Sequence, residues 1–252
     1  MHSMLAFTSI HMARLNPAQR AAYSKIARQH HIQASELFRS SISSESMIFS
    51  SISTLAFLIL STLTSVGLIQ NEAEDINSFV DLLALVRCAL RFAVSFERPT
   101  AENGRVTDVM IASQSHPLGS IRLDARLQSS LKRLEHYNTN CVSISNAQMV
   151  FLSQAIEETK RWCTCVPIRP SNLVFIPHWL IMMTDEFFQC LRERNEVALA
   201  LLAHWIVPCH HAPRKWYMDD WPAGIVGSIT KELGTAKKDL IEWVLAELCT
   251  SK

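Results

Sequence analysis

One long segment without charge constrains the fold of this chain most strongly, because residues 46–71 contain no Asp, Glu, Lys or Arg. A helix of about 20 apolar residues can cross a bilayer, and residues 47–69 are long enough to do so. Eight serine and threonine residues dilute the hydropathy of this segment, however, and the flanking charges are the acidic Glu45 and Glu72. We therefore expect a helix buried among other helices, and a membrane-anchored protein held by residues 47–69 is the alternative.

Helical periodicity also marks the rest of the chain, and no stretch shows the alternation that is typical of several strands. Leu127, Leu131 and Leu134 recur at helical spacing, and Ser145 and Gln148 have the spacing of a capping box. Residues 197–207 form a second apolar block, and residues 76–92 are apolar on two faces. The sequence predicts an all-α fold, which is a single irregular multi-helix bundle over residues 1–252 with two central apolar helices. We assign residues 47–69 to the centre of the bundle and expect the helix over residues 76–92 to be a second central element. Residues 197–207 are the second apolar helix.

Two helical stripes near the N-terminus predict a helical hairpin that turns at Asn16 and Pro17. Stripes of this kind ordinarily mark the packed side of an amphipathic helix. The first arm carries one stripe: Met1, Leu5, Thr8, Met12 and Leu15. The second arm, which we expect to pack on one side, carries another: Tyr23, Ile26, Ala27, His30, Ala34, Leu37 and Phe38.

Prolines and polar residues interrupt the helical pattern at defined places. The helical spacing lapses around residues 97–118, which predicts a mobile surface loop. Thr184 is placed to cap a short helix. Pro208 and Pro213 should kink or end the apolar helix that begins after Asn195. Two further helices are expected, one from Pro222 to residue 233 and one around residues 240–248.

Charge and cysteine content narrow the function classes. The chain has 24 Lys and Arg against 23 Asp and Glu, a formal net charge of +1 at pH 7. This balance leaves no basic excess to neutralise a phosphate backbone, so direct nucleic-acid binding is not expected. The 7 cysteines are odd in number and scattered, which favours a reducing compartment over a disulfide framework. The first residues also lack the pattern of a secretory signal peptide.

The densest group of potential metal ligands is Cys209, His210 and His211, with His204 upstream. Neighbouring residues on a regular helix point about 100° apart, so His210 and His211 do not meet at one ion without irregular backbone. Histidines at a helix end, close to the last carbonyl groups, are the favoured interpretation.

Other candidate groups also have a structural interpretation that we favour. The Asp219-Asp220 pair is best read as a cap before Pro222, and Cys163 and Cys165 as incidental thiols. For the adjacent His30 and His31 we expect one packed and one solvated ring. Five aromatic residues near the C-terminus either pack in the core, which we favour, or form the wall of a pocket: Trp205, Trp216, Tyr217, Trp221 and Trp243. We assign no catalytic residue, no metal ligand and no cofactor.

Several segments follow the order of one known family. HSMLAFTSIHMA at residues 2–13 resembles the helix that opens the C-terminal regulatory domain of fungal zinc-cluster transcription factors, a group that includes the sterol uptake control proteins. Three further segments resemble those that follow in that domain: residues 16–38, the leucine-rich segment 79–87 and residues 187–194. ALALLAHW at residues 198–205, with Trp216, Trp221 and Trp243 after it, is similar to the family's alanine-histidine-aromatic block and tryptophan-rich tail. The six-cysteine zinc cluster that binds DNA in that family is absent from this sequence, and Asn195-Glu196 stands where the family tends to have proline.

The resemblance implies a regulatory module that binds a hydrophobic small molecule, sterol-like or another metabolite, or a regulatory protein. Such a module would modulate gene expression in the nucleus or cytoplasm without a DNA-binding domain of its own, and a homo-oligomer is left open. Its ligand-binding residues are not assigned. The alternative is a helical enzyme or accessory protein of a fungal secondary-metabolite pathway, which would use the region from His204 to Asp220 around a pocket.

Overall fold

The structure is a computed structural model that describes residues 1–43, 57, 59–61, 63–65, 67, 76–97, 123–141, 145–171, 176–213 and 221–249. Over these residues the chain forms helices and turns and no strand, so the predicted all-α class is confirmed. The predicted loop at 97–118 lies outside the described residues except for Glu97, which ends a helix. Residues 214–220, and with them Trp216, Tyr217 and the Asp219-Asp220 pair, also lie outside the described residues.

The chain divides into two compact units. The N-terminal unit comprises Met1–Ala73 and Asp81–Gly104, and the C-terminal unit comprises Glu74–Val80 and Arg105–Lys252. The single domain expected over residues 1–252 stays a prediction. The α-helices are α1 (His2–Leu15), α2 (Arg20–Ser43), α3 (Ile76–Glu97), α4 (Ala125–Asn140), α5 (Asn146–Cys163), α6 (His178–Met182), α7 (Asp185–Arg192), α8 (Glu196–His211), α9 (Trp221–Leu233) and α10 (Glu242–Cys249).

In the N-terminal unit, α1 and α2 form the predicted helical hairpin. They contact each other extensively and are joined through a short 3₁₀ turn, Pro17–Gln19. Small side chains dominate the buried positions of the two helices, and small residues allow helix axes to approach closely. The buried residues are Ala6, Ile10, Ala13, Ala27 and Ala34.

The face through which α1 packs is not the one that its larger apolar residues suggest. Leu5 is 41% exposed and Leu15 is 61% exposed, so the stripe to which they belong does not pack in the core. The buried stripe is Ala6, Ile10 and Ala13 instead. Close packing against α2 requires small side chains at the contact and turns the longer ones of α1 outward.

The stripe predicted for α2 is correct only in part. Ala27 and Ala34 are buried, as expected, whereas Ile26 and Leu37 are 40% and 56% exposed. As on α1, the alanines face the protein interior and longer apolar side chains are exposed.

The predicted central helix 47–69 is described only at residues 57, 59–61, 63–65 and 67, which are helical. Thr64 is fully buried, and its Oγ1 donates to the Leu60 carbonyl at 2.7 Å, so the hydroxyl is satisfied within the helix. A Cβ added at Gly67 would lie 2.2 Å from Cγ2 of Ile10, which makes glycine necessary for this close approach. Among the described residues no helix is long and apolar enough to cross a membrane.

In the C-terminal unit, α8 is surrounded by other helices. Every residue from Val197 to Cys209 is buried, and α4, α5, α7, α9 and α10 all contact α8. A helix that is apolar all round must be covered on every side. The apolar helix predicted at 197–207 is therefore confirmed, and it lies at the centre of this unit.

A tight turn leads from α7 into α8. Arg194 has a φ of 58°, in the left-handed region that glycine usually occupies at the end of a helix. The N–H of Asn195 donates to the Cys190 carbonyl at 2.9 Å, and the N–H of Arg194 donates to the Leu191 carbonyl at 3.1 Å, which together make a Schellman motif. Asn195 Oδ1 then accepts from two N–H groups of the first turn of α8, at 3.0 and 3.2 Å. These bonds fix the residue at which α8 begins.

The caps predicted at two other helices are confirmed. Ser145 Oγ accepts from the N–H of Gln148 at 3.2 Å, and the Gln148 side chain accepts from the N–H of Ser145 at 3.3 Å, which completes the capping box of α5. Thr184 Oγ1 accepts from the N–H of Phe187 at 3.3 Å at the start of α7.

Of the two prolines expected to kink or end the apolar helix, Pro208 lies inside α8, and the helix ends at His211, shortly before Pro213. A proline inside a helix removes one backbone hydrogen bond, at a cost of about 3 kcal/mol or more. The residues on both sides of Pro208 are buried, and the N–H of Ala212 still donates to the Pro208 carbonyl at 3.0 Å. Burial on every side of α8 outweighs the missing bond, and the helix ends one turn later, before Pro213.

We predict that Asn195→Ala lowers the free energy of unfolding by about 1 kcal/mol, because two N–H groups at the start of α8 lose their acceptor. Urea denaturation followed by circular dichroism measures this change. The matched control is Asn146→Ala at the exposed first position of α5, which should stay within about 0.5 kcal/mol of wild type. Equal losses in the two variants would contradict the assignment of the cap.

Candidate functional site

His204 is the polar centre of the C-terminal unit. It is buried in α8, and its Nδ1 lies 2.7 Å from the Ala200 carbonyl oxygen. Because a carbonyl oxygen only accepts, Nδ1 carries the proton, and Nε2 must accept from the Ser130 hydroxyl at 2.9 Å. The Trp243 ring stacks on the imidazole with the ring centroids 5.4 Å apart. The imidazole thus joins α8 to both α4 and α10.

The surroundings of His204 keep it uncharged. Burial lowers its pKa from the ordinary 6.5 to about 4. The hydrogen bond to the Ala200 carbonyl opposes this change, while the Arg133 guanidinium adds to it. At neutral pH the ring is therefore neutral, and each of its nitrogens is committed to a partner within the protein.

Trp205 lies at the middle of a line of aromatic rings. Its centroid is 5.4 Å from that of Trp179, which stacks on it, and 6.5 Å from that of Trp221. Trp179 meets Phe187 edge-on at 5.5 Å, and Trp221 meets Phe79 at 5.0 Å. These distances and angles are typical of favourable aromatic pairs.

The ring N–H groups of two of these tryptophans also donate hydrogen bonds to acceptors within the protein. Trp205 Nε1 donates to the Ile176 carbonyl at 3.0 Å, and Trp179 Nε1 donates to Thr159 Oγ1 at 2.9 Å. The core packing favoured for Trp205 and Trp243 is confirmed by their burial, at 4% exposure each. Trp221, also on that list, is only half-buried.

The predicted group of potential metal ligands is not assembled into one site. The Cys209 thiol is buried, which raises its pKa, and it donates to the Trp205 carbonyl at 3.5 Å. His211 Nε2 lies 3.7 Å from Glu247 Oε2, whereas His204 engages Ser130. In the described parts of the chain, no group of three or more His, Cys, Asp or Glu side chains is placed to hold a metal ion.

A second polar cluster, which the sequence analysis missed, lies where α8 begins. The Tyr137 hydroxyl and the Lys237 ammonium both donate to the carboxylate of Glu196. Burial raises the pKa of Tyr137, and the Glu196 carboxylate raises it further. Burial alone would also raise the pKa of Glu196, but the bonds from Lys237 and Tyr137 outweigh burial and lower it. The cluster ties α4 and the 3₁₀ segment Thr235–Ile241 to the start of α8.

In the N-terminal unit the paired histidines differ from the expectation of one packed and one solvated ring, since His30 and His31 are both half-buried. His30 Nδ1 lies 3.0 Å from His2 Nδ1, so one of these rings donates and the other accepts. Burial lowers the pKa of His31, and its Nε2 lies 3.5 Å from Ser65 Oγ. These contacts join α1, α2 and the helical residues around 65.

The same unit presents apolar side chains outward on α1. Met4, Leu5 and Leu15 are 63%, 41% and 61% exposed. We define the outer face of α1 as the stripe to which they belong: Met1, Met4, Leu5, Thr8, Met12 and Leu15. This face is the chief exposed apolar feature of α1.

Comparison with known proteins gives no relative: no protein-family model, no curated protein and no solved structure matches this chain. The resemblance to fungal zinc-cluster regulators therefore stays a prediction.

We predict that the free energy of unfolding falls as the pH is lowered from about 6.5 to 4. In the unfolded chain a histidine takes up a proton below its ordinary pKa, whereas folded His204 stays neutral until the pH approaches 4. Protonation therefore favours the unfolded state, and the loss reaches about 3 kcal/mol at pH 4.

A double variant isolates this effect. Ser130→Ala with His204→Phe keeps a ring against Trp243, leaves no hydroxyl without an acceptor and does not titrate. From pH 7 to pH 4, wild type should lose about 3 kcal/mol more than this variant in chemical denaturation. The same acid loss in both proteins would show that His204 is not the titrating group.

We also predict that thiol labelling separates the cysteines by burial. Cys88, Cys165 and Cys249 are exposed and should react rapidly with a maleimide in the native protein. The buried thiols should react only after unfolding: Cys163, whose pKa burial raises to about 12, Cys190 and Cys209. Peptide mapping by mass spectrometry reads the positions, and rapid native labelling of Cys209 would contradict the packing around α8.

Proposed function

We propose that this protein is a transcriptional regulatory module of the fungal zinc-cluster type that acts without touching bases itself. It would bind a hydrophobic ligand or a protein partner and so modulate gene expression. The segments that resemble this family occur in the family's order along the chain, from residues 2–13 to ALALLAHW at residues 198–205, and this order supports the proposed relationship. The near-zero net charge supports action through a partner rather than through direct contact with DNA.

Of the two modes of binding, a protein partner has the better support, and one observation carries it: the outer face of α1 is apolar and exposed. Single exposed leucines are ordinary on protein surfaces. An aligned row of apolar side chains on one face of a helix is different, because exposed apolar patches mark interaction sites.

The arrangement of the C-terminal unit supports a module that binds rather than reacts. Its central helix is covered on every side, and His204 has both ring nitrogens engaged by protein groups. The Glu196 carboxylate is likewise engaged by Lys237 and Tyr137.

Deletion of the gene in its source organism tests the proposal. We expect a defined set of transcripts to change, wild-type protein to restore them, and the variant Leu5→Lys/Leu15→Lys to fail to do so. The control is Val150→Lys on α5, which places one such charge at a residue that is 59% exposed. RNA sequencing measures the outcome, and an unchanged transcript profile in the deletion strain would overturn the regulatory function.

A further inference from the structure

We propose that His2 and His30 form a two-histidine binding site for a divalent transition-metal ion, which fastens α1 to α2. Their Nδ1 atoms lie 3.0 Å apart, and the ring centroids lie 5.1 Å apart. The two residues are 28 positions apart in the sequence, so it is the helical hairpin that brings them together. This site is independent of the proposed function, and it adds a class of ligand to the N-terminal unit.

The separation of the two nitrogens matches neighbouring positions around one ion. Imidazole nitrogens bind a divalent metal at about 2.0–2.1 Å, and at that length a separation of 3.0 Å corresponds to an angle of about 95° at the ion. Square-planar and tetragonal Cu²⁺ and Ni²⁺ sites place neighbouring ligands about 90° apart. A tetrahedral Zn²⁺ ion, with an angle of about 109°, needs the nitrogens about 3.3 Å apart. The pair therefore fits Cu²⁺ or Ni²⁺ best.

The two rings can exchange their hydrogen bond for an ion without losing a proton. A neutral imidazole has one protonated and one free nitrogen, and a metal binds the free one. In the hydrogen-bonded pair, one Nδ1 carries a proton and the other accepts it. When an ion binds, the donating ring moves that proton through water to its own Nε2. Both Nδ1 lone pairs are then available to the ion.

The packing of the hairpin holds both rings where an ion can reach them. His2 and His30 are half-buried, so the site borders solvent, and water can fill the remaining positions around the ion. Buried alanines anchor the helices one turn away: Ala6 on α1, and Ala27 and Ala34 on α2. Ligands that project from packed helices keep their separation better than ligands on loops.

The surroundings of the pair also favour a cation. No residue three or four positions from either histidine on its own helix is charged, so no Lys or Arg one turn away repels the ion. Other pairs fit less well, since His211 Nε2 and Glu247 Oε2 are 3.7 Å apart. In the described parts of the chain no group of three or more such ligands is available. Two protein ligands with water make an open site, which exchanges its ion, rather than a closed structural one.

Titration of the full chain with Ni²⁺, on protein made without a polyhistidine tag, tests this inference. Isothermal titration calorimetry should show a Ni²⁺ site that His2→Gln and His30→Gln each weaken by roughly tenfold or more, because only one imidazole remains. The matched control is His136→Gln, which removes an exposed histidine from α4 and should leave the affinity unchanged. Mg²⁺ prefers oxygen ligands and should not compete.

Two further measurements locate the ion. Pulsed electron paramagnetic resonance counts the imidazoles bound to Cu²⁺, and it should give two in wild type and one in each glutamine variant. Hydrogen exchange of the α1 amides should slow when Ni²⁺ is added to wild type, because the ion ties α1 to α2, and should not change in either variant. Circular dichroism establishes that the variants are folded, and the imidazole count in wild type needs no variant.

Three results would overturn the inference. Absence of Ni²⁺ binding up to about 1 mM would leave His2 and His30 as a hydrogen-bonded pair only. Equal affinity in wild type and in both glutamine variants would place the ion on other side chains. A single imidazole on Cu²⁺ in wild type would show that the two rings do not share one ion.

Discussion

Every residue of helix α8 from Val197 to Cys209 is buried, and this constraint organises the C-terminal unit. Successive side chains on a helix point in all directions around its axis, so one neighbouring layer cannot cover α8. Cover comes instead from α4, α5, α7, α9 and α10, and each of these needs only one apolar stripe. The Schellman turn and the Asn195 cap fix where α8 begins. The same cover explains why the helix passes through Pro208.

A buried helix of this kind allows a polar side chain only where its hydrogen bonds are satisfied internally. His204 meets this condition through the Ala200 carbonyl, which sets its tautomer, and through Ser130 on α4. At the partly exposed start of α8, the hydrogen-bonding capacity of the Glu196 carboxylate is likewise satisfied within the protein, by two donors from other elements. Both groups hold neighbouring elements against α8.

Much of this unit follows from the sequence, because helical spacing identifies the residues that share a face. The buried Leu127, Leu131 and Leu134 and the capping box of Ser145 are examples. Spacing does not say which of two apolar faces packs, and α1 shows the consequence: its alanine face is buried and its larger side chains are exposed. The partners of polar groups are hidden for another reason. Ser130 lies 74 residues from His204 in sequence, and Tyr137 lies 59 residues from Glu196, so no local pattern connects them.

The two units thus differ in how they use apolar side chains. In the C-terminal unit, apolar side chains form a closed core around α8. In the N-terminal unit, α1 exposes a row of apolar side chains on its surface. Hydrogen exchange measured by mass spectrometry tests this contrast most directly. Amides in residues 199–207 should exchange only through global unfolding of their unit, and so more slowly than those of α1, whose outer side is open to solvent. Exchange in residues 199–207 that is as fast as in α1 would contradict a closed core around α8.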